Sequence, residues 1–213
     1  MKIRHNQSHG TPTRSVSQAT SEAQRQVRTQ VRLRVVAIAL VVAGIAVAGP
    51  ATMSSASEKV LSLTAYAQES RNWCWAAAAK MIIKYETGKV VSQCNIVKKG
   101  KGTSGCADVA GTKANVQLAL DTYGVNPGDL VAASWSRDKA EINSGRLIYS
   151  SIRWNDGTGG HAHVIRGWYD TGYSYGVSYV DPATGTVTSR EWGTYLSNST
   201  WTAGSQLIYL YKE

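Results

Sequence analysis

The order of helical and strand-like segments limits the folds open to this chain more than any other feature. Four segments with helical signals come first, at residues 73–87, 92–99, 113–123 and 136–144, the last with Ser136 as a predicted cap. Five segments with alternating or β-branched patterns follow, at residues 146–154, 161–168, 175–181, 186–192 and 206–211. Helices followed by strands predict an α+β domain with an antiparallel sheet.

An apolar run near the N-terminus indicates a targeting segment. Residues 1–34 are polar and basic, and residues 35–48 are 14 apolar positions without a charge. A positive n-region, an apolar h-region and small residues at its end predict a secretory signal peptide over residues 1–48, because the run is short of the ~20 residues that span a membrane. The alternative is an uncleaved signal anchor. Residues 49–64 are then a predicted short linker, and residues 65–213 are a predicted domain outside the cytoplasm.

The basic charge is concentrated in that leader. The chain has a formal charge of +9, but residues 1–48 hold seven Lys and Arg against one Glu. The remainder holds 16 basic and 13 acidic residues. Because the positive and negative charges of the folded part nearly balance, they give little support to nucleic-acid binding. We therefore expect no nucleic-acid partner and, because no nucleotide-binding glycine motif is present, no cofactor.

Three cysteines in a secreted chain predict one disulfide and one thiol outside it. Cys94 and Cys106 flank a stretch rich in Lys and Gly that is typical of an exposed loop, and a disulfide closing it would stabilise the fold by roughly 3 kcal/mol. Cys74 lies instead in the first turn of a predicted helix, with Asn72 as the predicted cap. Unpaired N–H groups and the positive end of the helix dipole favour a thiolate there. The alternative for Cys74 is a small buried hydrophobe.

A nucleophilic thiolate needs a base, and the chain offers few. His5 and His9 belong to the leader, which leaves His161 and His163. Both follow a glycine turn at the start of a predicted strand. A period of two places both imidazoles on one face, so the pattern alone does not choose between them.

An acid that orients the imidazole would complete a catalytic group. Asp181 ends a short alternating strand and precedes a proline, where its carboxylate can point back at a neighbouring strand. Its alternative role is that of a turn former. Asp156 and Asp170 are the competing acids, and each fits a turn.

Four short motifs at characteristic spacings occur together in this chain. They are Gln68 six residues before Cys74-Trp75-Ala76, Gln93-Cys94-Asn95-Ile96, His161-Ala162 with Gly167 six positions on, and Asp181-Pro182. As a set they resemble papain-like cysteine peptidases, specifically the compact bacterial branch of secreted and effector enzymes, over residues 65–211. The glycine offset selects His161 over His163 by this resemblance.

The resemblance implies a papain-like fold in which an N-terminal helical half carries the nucleophile and a C-terminal sheet carries the base. It implies peptide-bond hydrolysis by Cys74 and His161, with Asp181 fixing the imidazole and Gln68 donating to the oxyanion together with the Cys74 N–H. Trp73, Trp75 and Gly160 would line the substrate site. Two departures stand out: the third residue is Asp rather than the plant-type Asn, and residues 49–64 are too short for an inhibitory propeptide.

Further implications and alternatives stay open at this point. The resemblance implies a peptide or protein substrate and a monomer that leaves the membrane once its signal is cleaved. Other acyl transfer, such as deamidation, transglutamination or cell-wall amide cleavage, uses the same residue types. A catalytically silent binding domain is another alternative, and so is a zinc site on His161, His163 and Cys74. Trp168 and Trp192 are expected to pack on the sheet, with shielding of the imidazole as the alternative.

Overall fold

The computed structural model describes residues 56–213, so the predicted signal peptide over residues 1–48 lies outside the described residues. The helices are α1 (Cys74–Thr87), α2 (Gln93–Lys101), α3 (Lys113–Thr122), α4 (Trp135–Asn143) and α5 (Trp192–Leu196). The strands are β1 (Ser57–Val60), β2 (Asp129–Ala132), β3 (Ile148–Trp154), β4 (Gly160–Asp170), β5 (Tyr175–Asp181), β6 (Thr186–Glu191) and β7 (Trp201–Ile208). Most helices precede most strands, which confirms the predicted α+β class.

The strands form one seven-stranded antiparallel sheet. Six of them follow the order β2-β7-β3-β4-β5-β6, and the seventh, β1, pairs with β4 outside this order. β4, with 11 residues, is its centre. The first part of β4 pairs with β3, and its later part pairs with β5 on one side and β1 on the other. β1 falls within residues 49–64, the predicted linker. Its four residues are all exposed, so the alternation that marks a half-buried strand is missing, and its ladder to β4 holds it in place.

α1 forms the core of the helical half. Its alanines favour the helix and let it lie close against β4, while Met81, Ile82 and Ile83 are fully buried. Burying side chains of this size contributes about 1.5–3 kcal/mol each. The helix ends at Gly88, whose φ of 75° is the left-handed conformation that suits glycine. Among the helices of residues 56–213, none has both the length and the apolar content that a bilayer crossing needs.

α2 extends further than the sequence predicts. Gly100 and Lys101, beyond the predicted end at residue 99, complete the helix instead of belonging to the exposed loop that the Lys and Gly content indicates. Ser92 caps the N-terminus, Gly102 ends the helix with a φ of 64°, and the lysines of the last turn favour the negative end of the helix dipole. Cys94 on this helix and Cys106 beyond it form a disulfide with an S–S distance of 2.08 Å.

Three of the boundaries that differ from the predicted ones illustrate what the sequence missed. α4 begins at Trp135, so Ser134 and not Ser136 occupies its N-cap position. The strand predicted to end at residue 192 gives way there to the short α5. β7 begins at Trp201 and runs through Gly204, where an added Cβ would lie 2.6 Å from Ser151 Oγ. A glycine is therefore needed at position 204 because β3 leaves no room for a side chain, and it does not mark the end of a strand.

Candidate active site

The thiol that is not in the disulfide stands at the start of α1. Cys74 is half-buried and is the first residue of the helix. Trp73 occupies the N-cap position and no side chain caps the helix, so the prediction of Asn72 as the cap is wrong. Asn72 instead bonds Asp108 through its backbone N–H at 2.8 Å and its side-chain amide. The N–H groups of the first turn of α1, which begins at Cys74, therefore have no side-chain cap.

The imidazole and the carboxylate meet on neighbouring strands of the sheet. His161 is the second residue of β4, and Asp181 is the last residue of β5. The distance from His161 Nε2 to Asp181 Oδ1 is 2.6 Å. Asp181 also accepts the backbone N–H of Ala183 at 2.8 Å, which fixes the carboxylate at the turn. With Nε2 engaged, Nδ1 is the ring nitrogen left for the sulfur.

The surroundings favour a charged imidazole. Burial lowers the pKa of His161, but hydrogen bonds to Asp181 and to the Cys74 side chain outweigh it and raise that pKa to about 9. Burial also raises the pKa of Asp181, and the bond to His161 reverses this, so the net direction is downward. An ionised Asp181 therefore stands beside a protonated His161 near neutral pH.

His163 lies on the same side of the strand in different surroundings. It is buried, it stacks on Tyr179 with ring centroids 4.4 Å apart, and its Nδ1 lies 3.4 Å from the Tyr195 hydroxyl. Burial and the charge of His161 lower the pKa of His163. His163 is thus a neutral packing residue behind His161.

Two cavities adjoin the thiol and the imidazole. The larger has a volume of about 480 Å³ and the smaller about 400 Å³, and both are lined by Cys74, Ala110, Gly160 and His161. Trp75 lines the larger one, whereas Trp73 lines neither and instead donates its indole N–H to the Ala107 carbonyl at 3.1 Å. The two cavities together are called the groove. Of the three predicted substrate-site residues, Trp75 and Gly160 line it and Trp73 does not.

Gln68 lines the smaller cavity together with Cys74 and Asp181. Its backbone N–H donates to the Pro182 carbonyl at 2.7 Å, so the glutamine segment is tied to the turn that follows Asp181. Its side-chain Nε2 donates to the carbonyls of Ser70 and Arg71, at 3.0 and 2.6 Å. Both amide hydrogens are therefore already engaged by backbone carbonyls in this conformation.

Two aromatic residues at the site were not singled out from the sequence. Trp154 ends β3 and stacks on His161, with ring centroids 5.8 Å apart and 20° between the planes. Tyr149 is buried and lines the larger cavity beside Cys74, where burial and then the Cys74 charge raise its pKa. The sequence of β3 predicts neither the stacking of Trp154 nor the position of Tyr149 beside the thiol. Both depend on which strands and helices lie next to β3, and a local pattern does not show this. Trp168 and Trp192 lie elsewhere, around Trp135.

The competing acids serve turns. Asp156 accepts from the N–H and the hydroxyl of Thr158, at 2.9 and 2.7 Å. Asp170 accepts from the Gly172 N–H at 3.0 Å and lies 3.9 Å from Lys139 Nζ. Neither lines the cavities at the thiol.

One group of side chains has the spacing of metal ligands. Ligand atoms of His161, His163 and Asp181 all lie within 4.8 Å of one another. The sequence had suggested Cys74 as the third ligand, so the set that the structure brings together is a different one. His161 and Asp181 bond each other directly, and His163 is buried behind them. Their ligand atoms are therefore not free to coordinate a metal ion in this arrangement.

Comparison with known proteins bears on this arrangement. No curated protein matches the chain. A protein-family model described as papain-like cysteine protease AvrRpt2 matches residues 56–200, which include β1 and every residue that lines the two cavities except Gly204. This match covers more than half of the chain. The chain belongs to this family of papain-like cysteine peptidases, Peptidase_C70.

Proposed function

We propose that this peptidase hydrolyses peptide bonds through Cys74 as nucleophile, His161 as general acid and base, and Asp181 as the residue that orients the imidazole. The observation that carries the proposal is that Cys74, His161 and Asp181 line one cavity, with 2.6 Å between His161 Nε2 and Asp181 Oδ1. The His161 pKa of about 9 supports a thiolate–imidazolium pair.

The reaction follows from that pair. The Cys74 thiolate attacks the carbonyl carbon of the scissile bond, and the carbonyl electrons move to oxygen. As the intermediate collapses, the C–N bond breaks and the imidazolium gives its proton to the leaving amine, which leaves a thioester. Neutral His161 then takes a proton from water, the hydroxide attacks the thioester, and the acid product departs as the thiolate reforms. Asp181 keeps Nε2 protonated throughout.

The oxyanion needs donors on the thiol side of the carbonyl. The Cys74 backbone N–H belongs to the first turn of α1, whose N–H groups have no helical acceptor. Gln68 is the second donor in this proposal. Its amide must then turn from the Ser70 and Arg71 carbonyls when substrate binds, and catalytic hydrogen bonds commonly form only in the substrate complex. Its Oε1 is buried without a partner among the described residues, so this side chain is incompletely satisfied as it stands.

The two cavities support an extended peptide or protein substrate, because space is open on both sides of the thiol. We place the reaction outside the cytoplasm, with the chain acting as a monomer after signal cleavage. The Cys94–Cys106 disulfide supports an oxidising compartment.

Mass spectrometry of the secreted chain, with and without iodoacetamide, tests the proposal together with a peptide-cleavage assay. We expect an N-terminus generated near residue 48, one alkylated thiol at Cys74 and cleavage that is lost in His161→Ala. Cleavage that survives His161→Ala, or slow alkylation of Cys74 with no peptide cleaved, would contradict the proposal and favour a silent binding domain.

A further inference from the structure

The larger cavity carries a basic residue on each of its two walls. Lys113, the first residue of α3, lies on the helical wall, and Arg153 of β3 lies on the sheet wall. Arg153 is paired with Gly160, so it lies one register position from His161. No Asp or Glu is among the described residues that line this cavity.

Within residues 56–213, neither of these two basic residues forms an ion pair. The ion pairs of residues 56–213 use Lys80, Lys139, Arg146 and His161, and not Lys113 or Arg153. Their positive charge therefore faces the groove and solvent. A cleft lined by one sign of charge concentrates oppositely charged ligands.

The surrounding residues add to this asymmetry. Lys101 lies over the Trp75 ring at 5.7 Å, and its Nζ contacts the Ala110 carbonyl; both partners line the cavity. The acid nearest in sequence to the rim is Asp156, which is exposed and bonded to Thr158.

The smaller cavity differs in charge. Apart from His161, which lines both cavities, it is lined by one basic residue, Arg71, and by Asp181, whose carboxylate already bonds His161. The excess of positive charge is therefore larger on one side of the thiol. A substrate chain crossing Cys74 meets two cations without an ion pair and no acid on that side, whereas on the other side it meets one such cation, Arg71, together with the Asp181 carboxylate.

We propose that the larger cavity selects substrates with an acidic side chain, Asp or Glu, on one side of the scissile bond, received between Lys113 and Arg153. This inference rests on the proposed function, because it assigns a position relative to the bond that Cys74 attacks. Pairs formed near solvent are individually weak, so the two together predict roughly a tenfold preference in kcat/KM for Glu over Gln, decreasing as salt rises.

A positional library of fluorogenic peptides, cleaved by the secreted chain, tests the preference. Peptides with Glu, Gln or Lys at each position near the scissile bond are compared for the natural chain and for Lys113→Glu/Arg153→Glu. We expect a roughly tenfold preference for Glu at one position, reversed towards Lys in the double variant. The matched control is Lys98→Glu/Lys99→Glu on α2, which has the same change in charge and should keep the preference for Glu.

A second measurement does not depend on peptide cleavage. The ratio of Cys74 alkylation rates by iodoacetate, an anion, and iodoacetamide, its neutral counterpart, reports the charge around the thiol. The ratio should fall about tenfold in Lys113→Glu/Arg153→Glu and stay unchanged in the control. An unchanged ratio in the double variant, or equal cleavage of Glu and Gln peptides at every position, overturns the inference alone. A library left uncut by every variant would overturn the proposed function, and the substrate class with it.

Discussion

The helical wall and the sheet wall of the groove prepare their reactive groups by different means. Cys74 stands at the end of an element, at the N-terminus of α1, where the backbone N–H groups of the first turn have no helical acceptor. His161 stands inside a hydrogen-bonded ladder, and side chains around it set its charge and orientation. One wall uses the backbone and the other uses side chains. The two can therefore be perturbed separately, and variants on each wall should fail in different ways.

Removing either reactive group should have the largest effect. We expect Cys74→Ala and His161→Ala each to lower kcat by roughly 10⁴-fold or more, because the two act as one unit. Thermal unfolding should separate them: Cys74→Ala keeps its Tm, whereas His161→Ala loses the bond to Asp181 and melts earlier. Equal losses of Tm would show that the walls are not prepared differently.

The disulfide should stabilise the helical wall in particular. Cys94 and Cys106 are 12 residues apart, and closing a loop of this size contributes about 3 kcal/mol to the free energy of unfolding. Urea unfolding of Cys94→Ala/Cys106→Ala should show this loss. Hydrogen exchange should quicken in α2 and α3 before it quickens in β4. Uniform quickening across both walls would contradict the division.

Gln68→Ala tests the link between the walls, because its backbone bonds the Asp181 turn while its side chain reaches the thiol side. Loss of an oxyanion donor should lower kcat about a hundredfold with KM and Tm little changed. Gln117→Ala is the matched control, since its amide also donates to a backbone carbonyl, that of Gly128, but lies on α3. A fall in Tm without a fall in kcat would make Gln68 structural.

His163→Phe compares the two imidazoles of β4. His163 is buried, uncharged and stacked on Tyr179, so a phenyl ring of similar shape should keep the fold and leave kcat/KM within about tenfold. His161→Phe should be inactive. Inactivity of both variants, with Tm unchanged, would assign chemistry to His163 as well.

The pH dependence should report the sheet wall. The pKa of His161 is raised from 6.5 to about 9, so its proton contributes stability that is fully present below pH 6.5 and is lost as the pH rises through about 9. We expect the alkaline limb of kcat/KM in the same region. Asp181→Asn removes one of the causes of that raised pKa, so it should move the limb to lower pH. An unmoved limb would show that Asp181 does not act on His161.

Much of the fold was predictable because its signals are local. The alanine-rich α1, the capping serine of α2 and the alternation of β5 each produce a recognisable pattern. β1 and β2 escaped because they are four residues long and mostly exposed, so no alternation marks them. Their positions depend on partners, β4 and β7, that lie far along the chain.

The candidate site was predicted from a different kind of signal. Residue types and spacings indicate Cys74, His161 and Asp181, which line the smaller cavity together, and pattern alone does not separate His161 from His163. Burial separates them in the structure, and burial depends on the tyrosines of β5 and α5. The orientation of Gln68 and the stacking of Trp154 were beyond the sequence, because each depends on the turn or strand that happens to lie opposite.

The packing of Trp75 has a consequence for how this family member can change over time. Its indole occupies the space that an added Cβ would need at Gly111, at 2.2 Å, and at Gly100, at 2.8 Å. A side chain at position 111 is therefore conditional on a smaller residue at position 75, whereas Gly100 is also held by the Asn115 backbone carbonyl, 2.6 Å from the added Cβ. We expect positions 75 and 111 to show epistasis, so that an exchange at Gly111 that is harmful alone becomes tolerable in combination.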